Sequence, residues 1–240
     1  MSTVQADPIF DSFGLLPQAT FGGTDIPNDA VAASTQFVDS GVVITLGLTA
    51  TPRFSAAPAV TNDGQGRFFA EAGNGPVGSD NESTAQWNFG FYIEVDDPTG
   101  GKSLDDYDIT LFYDFDPGQD TPTTVMGRFL IDEGAALDPS EPTVSQGSQN
   151  LTFGFLENGF TPPITGAPQT VVPPTGSITT FDVDAFGEYS FAISVARPGD
   201  LFPLESVQIE VQTIPEPTGA AVLALGGLGL MTRRLRCDQR

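Results

Sequence analysis

No histidine occurs anywhere in this sequence, and its one cysteine, Cys237, stands among the last four residues. Without imidazole or a second thiol, Ser-His-Asp and Cys-His catalysis, zinc sites built on His or Cys, and haem or iron–sulfur ligation are excluded. Disulfides within the chain are excluded with them, so a folded domain here must be held by its core. Positive charge is the next scarcity. The whole chain has 9 Lys and Arg against 31 Asp and Glu. Residues 1–214 contain only five of those basic residues (Arg53, Arg67, Lys102, Arg128 and Arg197) and 29 of the acidic ones, a net charge of −24. Such a surface repels polyanions, which excludes DNA and RNA as partners. It keeps an exported protein soluble and suits divalent cations.

The first residues are also poor in export signals. Met1 to Asp7 contains neither a basic n-region nor an apolar h-region, although Val4-Gln5-Ala6 before Asp7 has the small-residue character of a signal cleavage site. This reading predicts a true start upstream of Met1, with the signal peptide missing from the sequence as given.

What is abundant points to strands. Gly (27), Pro (20) and Phe (19) are all high while charged residues make up 17%, a profile of many short strands joined by turns. Strict alternation supports the same period. Trp87, Phe89, Phe91, Ile93 and Val95 share one face of a strand over 87–96, against Asn88, Gly90, Tyr92 and Glu94. The same pattern predicts strands over 42–48, 67–72, 107–116, 124–132, 149–156, 187–197 and 205–213. Proline-rich 161–174 reads as a surface loop, because proline removes a ladder donor. No internal repeat of fixed period appears. The expected architecture is all-β: an antiparallel two-sheet β-sandwich over residues 37–214. It is preceded by an arm or early strands in 1–36 and followed by a tail over 215–240 with a C-terminal hydrophobic, transmembrane-like helix.

Two chemistries stay open for the domain. Asp114, Asp116 and Asp120 surround a Pro117-Gly118 turn at a strand end, and three carboxylates so placed are candidate Ca²⁺ ligands, the one cofactor the sequence suggests. Asp96-Asp97 and Asp105, Asp106 and Asp108 could join them in space. Carboxylate pairs could also serve glycoside hydrolysis, which needs neither His nor Cys, but no pair is marked out. A glycan-binding module would use Trp87, Tyr92 or Tyr107 as a stacking platform. Asn81-Glu82-Ser83 and Asn150-Leu151-Thr152 match the glycosylation sequon, a pattern that coincidence produces readily in a Ser/Thr-rich chain.

The tail is the most specific stretch. Pro215-Glu216-Pro217 cannot continue a sheet or enter a helix. An uncharged run comes next, containing Gly219, Ala220, Ala221, Val222, Leu223, Ala224, Leu225, Leu228, Leu230 and Met231, and then a basic stop of Arg233, Arg234 and Arg236. Thr218 to Thr232 is 15 residues, below the roughly 17–25 of a usual span, so arginine snorkelling or bilayer thinning would have to complete it. Arginines past the apolar run favour a cytoplasmic C-terminus. This order of stiff polar motif, apolar run and basic stop resembles the PEP-CTERM sorting tail of bacterial envelope and secreted proteins, which an exosortase recognises.

The resemblance implies an exported, non-enzymatic protein of the cell envelope or extracellular matrix. It implies an inner-membrane anchor, transient or permanent, and an exosortase-like enzyme acting near Pro215, Glu216 and Pro217. Extracellular polysaccharide is an implied partner, since proteins of this kind accompany exopolysaccharide and biofilm production. A Ca²⁺-dependent or glycan-binding surface module is the alternative, and a glycosidase-like enzyme the third reading.

Overall fold

The computed structural model describes residues 8–21, 30–75, 82–131, 142–159 and 169–215. Among the described residues twelve strands run in chain order: β1 (Ser12–Leu15), β2 (Val31–Asp39), β3 (Val42–Pro52), β4 (Thr61–Asn62), β5 (Arg67–Glu71), β6 (Trp87–Asp96), β7 (Asp108–Tyr113), β8 (Gly127–Ile131), β9 (Val144–Gln149), β10 (Gln169–Val172), β11 (Gly187–Ala196) and β12 (Glu205–Ile214). One short helix, α1 (Gly154–Asn158), lies between β9 and β10. The first sheet has the order β1-β2-β3-β6-β9 and the second β10-β8-β7-β11-β12-β5-β4. Every pairing is antiparallel except β5 with β12, which is parallel, so the all-antiparallel expectation is corrected there. The reason lies in the long crossover from β5 through the first sheet and back, which brings β12 alongside β5 in the same direction.

The alternating faces are spent on one shared core. Ile44, Leu46 and Leu48 of β3 and the odd residues of β6 are buried with Ile109 and Leu111 of β7, Phe191 and Ile193 of β11, and Val207, Ile209 and Val211 of β12. Phe89 stacks on Phe191 across the two sheets, with ring centroids 4.6 Å apart, and Trp87 packs on Tyr189 and Phe191. Each aromatic buried this way removes a large apolar area from water.

Residues 8–21 belong to both sheets. Ile9 exchanges backbone hydrogen bonds with Gln208 of β12 (3.2 and 2.7 Å), β1 then pairs with β2, and 16–21 cross the outer face of the first sheet. That last stretch buries Tyr92, which the alternation placed on a polar face.

Two segments differ from the sequence reading. The strand expected over 149–156 is instead the end of β9, a turn at Asn150 and α1, because Asn150 is fixed by its own side-chain bonds and Gly154 opens a helical turn. The loop expected over 161–174 contains β10, an edge strand that pairs only with β8 and ends before Pro173 and Pro174. No helix among the described residues is long and apolar enough to cross a membrane; the apolar run expected to be helical lies outside them.

Candidate functional site

The Asp114 loop begins where β7 stops. Asp114 is 2% exposed and stands one step past the Tyr113–Phe191 pair, facing Ser190 of β11, whose N–H lies 3.5 Å from Oδ2. Its Oδ1 accepts the Asp116 N–H at 2.8 Å, and the Thr121 hydroxyl donates to the same carboxylate. Asp116 in turn accepts the Gly118 N–H at 2.8 Å. Burial pushes the Asp114 carboxyl up to about 6 despite these bonds, because desolvation of the charged form outweighs them. Asp120 is exposed and takes a left-handed backbone, φ 58°. The first two carboxylates each accept a backbone N–H that folds the loop on itself. Among the described residues no group of three or more His, Cys, Asp or Glu is disposed to hold a metal. Asp96, Asp97, Asp105, Asp106 and Asp108 lie at the opposite end of the strands, since β7 runs from Asp108 at one end to Tyr113 at the other. The expectation that they join the Asp114 group is corrected.

Beside Asp114, the outer face of the second sheet buries an ion network. Ser190, Glu210 and Arg67 are cross-strand neighbours on β11, β12 and β5. Arg67 donates to Glu210 Oε2 from Nε at 2.9 Å and from Nη2 at 2.5 Å, and Glu188 Oε2 lies 3.8 Å from Nη2. The Asp114 loop covers the face: the Glu188 N–H donates to the Pro117 carbonyl at 3.2 Å, and a Cβ on Gly187 would sit 2.1 Å from that oxygen. Glu188 and Glu210 are 5% and 1% exposed, so this carboxylate pair cannot flank a sugar in a cleft as hydrolysis requires. Burial raises the Glu210 carboxyl above its usual range, and Arg67 opposes that rise.

A polar concavity occupies the other end of the domain. It forms a cleft of about 590 Å³ between the Ser40-Gly41 turn, the loop 97–107 and Arg197-Pro198. Asp39 anchors it, accepting from Arg197 Nε (3.2 Å) and Nη2, from the Tyr107 hydroxyl (3.3 Å) and from Ser40 (3.3 Å). The Arg197 guanidinium holds the Asp39 carboxyl below the usual range, and burial with the neighbouring Asp39 charge pushes the Tyr107 phenol up to about 12. Asp97 accepts the Thr99 N–H and hydroxyl and the Gly101 N–H, all at 2.8 Å to the nearer oxygen. Lys102 pairs with Asp106 at 2.7 Å. A second hollow of about 490 Å³ adjoins the same loop, lined by Glu94, Asp96, Ser103 and Thr143 among others. Two of the five cations of residues 1–214 thus meet at one end, Arg197 paired with Asp39 and Lys102 with Asp106. Sequence reasoning missed this site because its residues come from three distant segments, none carrying a spacing signal.

The aromatic platforms do not present themselves. Trp87 and Tyr92 are 2% exposed and Tyr107 is 5%, the first in the shared core, the second under residues 16–21, the third against Asp39. Asn150 of the second sequon is wholly buried: its amide donates to the Ala85 and Trp87 carbonyls (both 2.9 Å) and to Asn88 (2.8 Å), and its oxygen accepts from Thr152. Asn81 lies outside the described residues.

At the C-terminal side, β12 is paired on both flanks to its last residues. Thr213 faces Gly187, Ile214 faces Glu71, and the Ala72 N–H donates to the Ile214 carbonyl at 3.0 Å. Pro215 is exposed; Glu216, Pro217, the run 219–231 and Arg233, Arg234 and Arg236 lie outside the described residues. Comparison with known proteins found no matching family model, no matching curated protein and no matching solved structure.

Proposed function

We propose that this chain is a non-enzymatic exported protein whose segment 215–240 sorts it to the bacterial envelope. There an exosortase-like enzyme acts near Pro215-Glu216-Pro217, and the two-sheet domain is the part delivered to the envelope or extracellular matrix. The observation that carries this reading is the order of features after the last strand: the proline motif, the uncharged run and the basic stop succeed one another within 22 residues, from Pro215 to Arg236. The domain supports it by finishing the β12 pairing at Ile214, the residue before the motif. The acidic surface suits a soluble exported domain. The apolar run engages the inner membrane with its arginines on the cytoplasmic side.

A second reading, a surface module for a polar ligand such as extracellular polysaccharide, is favoured by the cleft around Asp39 and Arg197. It is compatible with the first, because β12 separates that cleft from the tail by its own ten residues, roughly 30 Å along the strand.

The test supplies the chain with a signal peptide and replaces Pro215, Glu216 and Pro217 together by alanine in a bacterium that carries an exosortase. The parent chain is expected outside the inner membrane at reduced mass, and the variant full-length in the membrane fraction. Identical mass and location for both would count against the reading.

A further inference from the structure

The outer face of the first sheet carries a hollow that the chain's own residues 16–21 fill: the Ala19 N–H closes a turn on the Leu16 carbonyl (3.0 Å), and Phe21 enters with a left-handed backbone, φ 50°. Gly47 and Gly90 clear the floor: a Cβ at 47 would lie 2.7 Å from Leu16 Cδ2, and one at 90 would lie 3.3 Å from Phe21 Cδ1. Ala32, Tyr92 and the flank of Val144 form the walls around Phe21, which is 1% exposed. Gln146 on β9 acts as a clamp, its one side-chain oxygen accepting the Thr20 N–H (2.8 Å), the Thr20 hydroxyl (3.1 Å) and the Phe21 N–H (2.9 Å). The outer face of a packed sheet is ordinarily polar and wetted. Here glycine, alanine and a tyrosine ring make it a receptor for one short apolar sequence, and that sequence forms a cluster separate from the shared core.

The rest of the segment is held in ways a second molecule could equally satisfy. Ile9 adds to the part of β12 that precedes its pairing with β5, β1 adds to the edge of β2, and Phe10 and Phe13 close the side of the core against Phe68. All of these contacts precede a single connection, 22–29, which contains Gly22, Gly23 and Pro27. Exchanging an element joined to its domain by one connection conserves every contact, and so is a low-cost route to association.

We propose that the hollow also takes residues 8–21 of a second copy of this chain, so that the protein assembles by exchange of this segment. The occupant is fixed by the fit already seen within one molecule. Because Phe10 and Phe13 must leave the core before exchange, association is slow and speeds up on warming toward the unfolding temperature. This inference does not depend on the sorting reading.

The test uses the full chain in mild detergent, incubated warm with a fluorescein-labelled synthetic peptide of residues 8–21. Saturable uptake is expected, weakened about tenfold by Phe21→Ala in the peptide and accelerated by Phe21→Ala in the chain, whose own segment is then held less firmly. Native mass spectrometry of mixed isotope-labelled and unlabelled full chains should show mixed dimers after the same warming. Monomers alone at every concentration, no uptake by either chain, or uptake indifferent to Phe21→Ala in the peptide would overturn the proposal.

Discussion

Asp114 shows how burial sets the titration of a carboxylate. In the fold its carboxyl is raised to about 6 by burial, against an ordinary 3.8. A group raised in this way contributes stability that is fully present below the unfolded value and is lost as pH rises through the folded one, a span worth up to about 3 kcal/mol. Asparagine mimics the protonated form. Asp114→Asn is therefore expected to raise the melting temperature at pH 7.5 and leave it nearly unchanged at pH 4. A lower melting temperature at pH 7.5 would show that the ionised carboxylate is the better partner for the Asp116 N–H and Thr121. Asp39 has the opposite sign: its carboxyl is depressed by Arg197, so its contribution is present at neutral pH and fades as pH falls through the acid range. Asn150 is a second test at this scale. With its two amide hydrogens shared among three acceptors and no exposure, Asn150→Ala strands the Ala85 and Trp87 carbonyls and should cost about 2–4 kcal/mol in denaturant titration. A cost under about 0.5 kcal/mol would mean that water replaces it.

Among the elements, β6, β11 and β12 were legible because each alternates large apolar residues over nearly ten positions and buries one whole row. β2 and β9 were not. Val31-Ala-Ala-Ser-Thr carries too little apolar contrast, and Val144-Ser-Gln-Gly-Ser-Gln is an edge strand whose outer row meets the 16–21 segment through polar and small side chains. The false strand over 149–156 came from Leu151, Phe153 and Phe155, whose spacing mimics period two while the backbone turns at Asn150. Position in the sheet also sets the energetics. Glu210 lies in the interior of the second sheet, 1% exposed, with Arg67 of the parallel neighbour β5 as its cation. Arg67→Met should destabilise by about 3 kcal/mol, since it leaves a buried carboxylate unpaired, whereas Arg67→Met with Glu210→Gln should recover much of the loss. Additive losses in the double variant would mean that the two residues act independently.

Across the whole molecule, what the sequence could exclude is more certain than what it could assign. With no histidine and a single cysteine, this sequence lacks the residues of Ser-His-Asp and Cys-His catalysis and of His- or Cys-built zinc sites before any fold is known. The cleft around Asp39, Tyr107 and Arg197 was invisible for the converse reason: it exists only once the Ser40 turn, the 97–107 loop and the start of the 197–204 loop are brought to one end of two packed sheets. The tail was legible because its meaning lies in linear order. β12 is flanked by β11 and β5 and bonded through Ile214, so its pairing is complete before residue 215. Removing those residues should therefore leave the melting temperature within about 2 °C of the full chain, a shift that corresponds to well under 1 kcal/mol.

The most direct measurement is the partition of the full chain and of a chain ending at Ile214 between carbonate-washed membranes and the soluble fraction, when both are exported in the same bacterial host. In a host without an exosortase, the sorting account predicts the full chain in the membrane and the shortened chain entirely soluble. Equal partition of the two would contradict it.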